Sequence, residues 1–97
     1  MRHFHRTQLQ PDDVLALADT FFPTIGQRHT ASETRARTFA GPLGTFRLTV
    51  KKEGGHYTFI EVHTDQMGES RLDRNVKRFF VDVHRTADPS HALQAAY

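Results

Sequence analysis

The chain has no cysteine and no tryptophan, only six glycines and four prolines in 97 residues, and no apolar run near the roughly 20 residues that cross a bilayer. The missing cysteine excludes disulfides, thiolate metal sites and a thiol nucleophile, and it leaves the redox compartment unread. The polar opening RHFHRTQLQ lacks the apolar core of a signal peptide. A soluble, cytoplasmic protein with no membrane partner is therefore expected. Nucleotide and hydrolase motifs are missing as well: there is no GxGxxG, P-loop, GxSxG or HExxH pattern. No enzyme and no cofactor are expected on that ground.

Apolar residues make up 37% of the chain, below the usual level of about 45 to 50%, although eight phenylalanines are among them. One modest core fits this length and composition, so a single domain is expected, with self-association adding stability. The net charge is +2 and unevenly placed. Residues 1–10 carry Arg2 and Arg6 without an acid, residues 11–22 carry Asp12, Asp13 and Asp19 without a cation, and the basic surplus falls on residues 23–60. Those residues include the strongest strand pattern, where positive charge could attract an anionic partner.

That pattern runs from residue 46 to 63. Phe46, Leu48, Val50, Ile60 and Val62 fall on one parity, and Arg47, Lys51, Tyr57, Phe59, Glu61 and His63 on the other. A strand sends alternate side chains to opposite faces, so one sheet face is apolar and its reverse carries aromatics and cations. Strands are predicted over 33–40, 45–52 and 57–64, with a further edge strand or arm in residues 1–10. Pro11, Asp12 and Asp13 favour a helix start, with Val14, Leu17, Ala18, Phe21 and Phe22 following at helical spacing until Pro23. Ser70 can cap a second helix whose Leu72, Val76, Phe79, Phe80 and Val83 form an amphipathic stripe, ended by Asp88-Pro89. Residues 89–97 could add a helical turn or fray.

Side-chain burial predicts both hairpin registers. A loop of Gly54, Gly55 and His56 sets Val50 beside Ile60 and Leu48 beside Val62, with glycine at positive φ, whereas a two-residue loop would waste the apolar face. By the same logic a loop of Gly41, Pro42 and Leu43 sends Arg35, Arg37 and Phe39 outward, which avoids burying unpaired charge. It also sets Arg37 beside Arg47.

The candidate site is therefore the reverse face: Arg35, Arg37, Phe39, Arg47, Lys51, Tyr57, Phe59 and His63, with Glu61 among them. Such a face could be the interface to a second copy or a larger protein assembly. It could also bind single-stranded nucleic acid, with rings stacked on bases and cations on phosphates. A secondary stripe of Arg71, Arg74, Arg78 and Arg85 lies opposite the core face of the last helix, where solubility is the ordinary role and phosphate contact the alternative.

Gly41-Pro42, Phe46 and the run from Ser70-Arg71 to Lys77-Arg78, in the order helix, three strands, helix, resemble the double-stranded-RNA-binding domain. That family's last helix starts rich in Gly and Lys, and GESRLDRNVKR does not, so no function is carried over. The seven histidines have no metal-ligand spacing beyond His3 and His5, and no metal is expected. Glu61 and His63 could form an acid and base pair, a coincidence common on strands. The expected architecture is α+β in two layers, (β)αβββα, with an antiparallel sheet of three to four strands under two helices. The expected function is a small non-enzymatic interaction module, with nucleic-acid binding as the alternative.

Overall fold

The computed structural model describes residues 1–88; the tail expected to add a turn or fray lies outside them. Strand β1 (Arg2–Thr7) leads into helix α1 (Pro11–Phe21) and a 3₁₀ turn (Phe22–Ile25). Strands β2 (Arg28–Glu33), β3 (Ala36–Gly41), β4 (Gly44–Glu53) and β5 (Tyr57–Thr64) follow, then helix α2 (Arg71–Ala87). The five strands form one antiparallel sheet in the order β1-β5-β4-β3-β2. Strands β2 to β5 are a meander, and β1 returns to pair with β5. The α+β, two-layer expectation holds and the order (β)αβββα is roughly matched, with the added strand β2 making one more than foreseen.

Both helices cover the same sheet face. Val14, Leu15 and Ala18 of α1 are buried with Phe22, while Leu17 and Phe21 pack only at the margin. Helix α2 buries Leu72, Val76, Phe79, Phe80 and Val83. Its first turn is capped by Ser70, whose Oγ accepts from the Asp73 amide at 3.0 Å. Phe22 is the hub of the core, with ring centroids 4.5 Å from Phe46, 5.0 Å from Phe79 and 5.2 Å from Phe39. Fully burying each such side chain contributes on the order of 2 to 3 kcal/mol.

The β4–β5 register is the one that burial dictates. Val50 faces Ile60, Leu48 faces Val62, and Glu53 faces Tyr57, which leaves Gly54, Gly55 and His56 as the loop. Gly54 and Gly55 take φ of 58° and 75°, a region that costs glycine little.

The first hairpin is different from the expectation. Gly41 pairs with Gly44, so the loop is Pro42-Leu43, Phe39 faces Phe46 and Arg37 faces Leu48. Phe39 is therefore a fully buried core residue and not part of the reverse face. The charge penalty that argued against this register does not arise, because Arg37 is not left unpaired. Its guanidinium donates to the carbonyls of Glu33 at 2.7 Å and Ala36 at 2.9 Å and lies 3.3 Å from the Asp19 carboxylate. Arg35 sits at the β2–β3 turn, 3.4 Å from Asp12. Arg47 stands opposite Thr38 and not Arg37, and it pairs with Glu33 at 2.8 Å.

A buried glutamine fixes this turn. Gln27 donates from Nε2 to the Gly44 carbonyl at 2.8 Å, and its Oε1 accepts from the Leu43 amide at 3.2 Å. A Cβ at Gly41 would strike Gln27 and the Gly26 carbonyl, so this close approach demands glycine.

Candidate interaction surface on the open sheet face

Among the described residues, no helix covers the reverse of the sheet. Alternation in β4 and β5 places Arg47, Thr49, Lys51, Tyr57, Phe59, Glu61 and His63 there, and the β1 register adds three more residues. Arg2 pairs with His63, Phe4 with Glu61 and Arg6 with Phe59, so Arg2, Phe4 and Arg6 share that face.

The centre is aromatic. Phe4 and Phe59 stack with centroids 5.5 Å apart. Arg2 lies 5.2 Å above the Phe4 ring, and Arg6 and Lys51 lie 4.8 and 5.9 Å from the centre of Phe59. Each such cation contact contributes about 0.5 to 1 kcal/mol at an exposed site. Phe4 is 51% exposed and Tyr57 47%, far more than a ring needs to be in a protein with a formed core. Thr49, Lys51, Phe59 and Glu61 line a shallow depression of about 250 Å³ beside this stack.

The cations are largely committed within the face. Arg2 reaches Glu61 at 3.0 Å, Arg6 reaches Glu53 at 2.8 Å, and Arg47 reaches Glu33 at 2.8 Å. The hydrogen bond from Arg6 holds the Glu53 carboxyl below its ordinary range, helped by the charge of Lys51. Lys51 makes no direct ion pair among the described residues, and the face carries acids and bases in near balance. Mixed signs around an apolar centre suit a surface that is complementary to itself.

Of the residues expected at this site, Arg47, Lys51, Tyr57, Phe59 and His63 are brought together. Phe39 is in the core, while Arg35 and Arg37 reach toward α1 acids on the helix side. Arg2, Phe4, Arg6, Glu33 and Glu53 join the face unforeseen, although the alternation of Arg2, Phe4 and Arg6 against His3 and His5 is visible in the sequence. Arg71, Arg74, Arg78 and Arg85 are exposed along α2, on the opposite side of the molecule, so they cannot join this surface. His3 and His5 face α2 and His63 faces away, which parity makes unavoidable. Among the described residues, no three His, Asp or Glu side chains gather as metal ligands would.

The sequence matches no protein-family model and has no significant match among curated proteins.

Proposed function

We propose that the chain is a small non-enzymatic interaction module that pairs with a second copy of itself through the open sheet face. The observation that carries this reading is the exposed Phe4 ring stacked on the half-buried Phe59, rimmed by cations that already hold carboxylates. Two such faces can pack at about 10 Å, the usual spacing of stacked sheets, and bury both ring pairs. Nucleic acid is the less favoured partner, because Glu33, Glu53 and Glu61 occupy the arginines that phosphates would need and repel phosphate themselves.

Light scattering over a concentration series tests the proposal. Wild-type protein should reach dimer mass with little dependence on salt, and Tyr57→Ser with Phe59→Ser should remain monomeric. A wild-type monomer at every concentration would remove the reading. If a mixed oligonucleotide instead bound with steep salt dependence, and Arg47→Ala or Lys51→Ala reduced that slope, the nucleic-acid alternative would replace it.

A further inference from the structure

The helix layer carries a second surface, on the other side of the molecule from the open sheet. Helix α1 turns Pro11, Val14, Leu15 and Ala18 to the core, so Leu17 and Phe21 fall beside that stripe and remain half-buried. With Thr20, Thr24, and Phe79 and Asp82 of α2, they line a groove of about 320 Å³ between the helices. A second depression of about 310 Å³ shares Phe21 and Asp82 with it and adds Arg78, Val81 and Arg85. The shared residues make one groove that is apolar at one end and cationic at the other.

The chemistry of the walls is specific. The hydroxyls of Thr20 and Thr24 donate to the carbonyls of Ala16 and Phe21, so they offer the groove no free donor. Val81, which lines this depression with Arg78 and Arg85, is an apolar residue 48% exposed. Arg85 has no ion pair among the described residues, and Arg78 has only a 3.4 Å contact with Asn75 Oδ1. Asp82 is the one carboxylate among the described lining residues, against the two arginines Arg78 and Arg85.

We infer that this groove binds a small amphiphile with an apolar chain and an anionic head, of the medium-chain carboxylate class. The chain lies on Leu17, Phe21 and Phe79, and the carboxylate takes the guanidiniums of Arg78 and Arg85, which stand two turns apart on one helix face. The volume lies at the lower end of ligand sites, about 300 to 1,000 Å³. A cationic head would meet two like charges.

Calorimetric titration of the full chain with hexanoate, octanoate, decanoate and decyltrimethylammonium tests this. Saturable binding of the carboxylates is expected, strengthening about fourfold per added CH₂ while the chain still fits, as follows from about 0.8 kcal/mol per buried methylene. The ammonium compound should bind at least about tenfold more weakly than decanoate. Arg78→Gln with Arg85→Gln should weaken decanoate several-fold, and Thr20→Trp, which fills the groove from the exposed side of α1, should abolish binding with the circular dichroism unchanged. The Phe59→Ser variant should bind decanoate as wild type does, so this inference and the dimer reading fail independently. No saturation, no dependence on chain length, equal affinity for the ammonium compound, or indifference to the arginine and Trp variants would each overturn it. So would a change of protein mass, without any ligand, on Thr20→Trp, since the groove would then be covered by a second copy.

Discussion

His3 Nε2 lies 2.7 Å from Asp73 Oδ1, so the first strand is tied by a side-chain pair to the first turn of the last helix. Asp73 is fully buried and also accepts from Thr64 Oγ1 at 2.9 Å and Ser70 Oγ at 2.5 Å. Burial pushes its carboxyl up, but hydrogen bonds from Ser70, His3 and Thr64 outweigh this and hold it below the ordinary range. Asp73→Ala should cost on the order of 3 kcal/mol, read from urea denaturation, because it strands the buried Thr64 hydroxyl and the half-buried His3 and Ser70 side chains. A carboxyl whose folded value is depressed adds stability above its unfolded value, and that contribution is lost as pH falls. Wild type should therefore lose stability below about pH 4 more steeply than Asp73→Asn.

His5 predicts a second pH dependence, in a milder range. Its ring stacks on Phe80 at 5.2 Å, and its Nε2 is buried without a hydrogen-bond partner among the described residues. Burial, and then repulsion from His84, lower its affinity for a proton in the folded state. The unfolded chain takes that proton first, so stability should fall as pH drops from about 6.5. His5→Phe keeps an aromatic ring on Phe80 and removes the titration. The stability difference between the variant and wild type should grow in the variant's favour from pH 7.5 to 5.5, as read by thermal midpoints.

Two phenylalanines of adjacent sequence pattern should behave oppositely. Phe39→Ala should destabilise by about 3 to 5 kcal/mol, the usual cost of emptying a packed aromatic site. Phe59→Ser should cost much less in a monomeric reference and should abolish dimer mass. Denaturation and light scattering on the same pair separate core from surface.

The turn held by Gln27 gives a fourth expectation. Gln27→Ala leaves the Leu43 amide and the Gly44 carbonyl without their side-chain partner, and a loss of about 1 to 3 kcal/mol should follow. Amide exchange should accelerate first at Leu43.

What could be read from residues alone depended on where the deciding partner lies. The core face of α2 and the β4–β5 register are local facts, since Leu72 to Val83 and Phe46 to Val62 declare their own periods. Strand β2 declares nothing: RHTASE is exposed throughout and holds its place by pairing with β3. Phe39 was misplaced because the groups that make its neighbour Arg37 tolerable, Asp19 above all, sit on another element. Likewise the α1 stripe was read a little too far round, through Leu17 and Phe21, because Leu15 proved to be the more buried. The open face was legible only where β4 and β5 build it, and Arg6 joins it by meeting Glu53 across half the chain.

That same long reach makes β1 the closing piece of the sheet. Strands β2 to β5 meet through short turns, whereas Thr7 must find Thr58 from the far side of both α1 and the meander. Loop-closure entropy delays such a contact, so the meander should form early in folding and β1 should dock late. Until it does, the β5 edge stays bare and the Phe4–Phe59 stack does not exist, so the surface assigned to pairing arises only once the chain has finished folding.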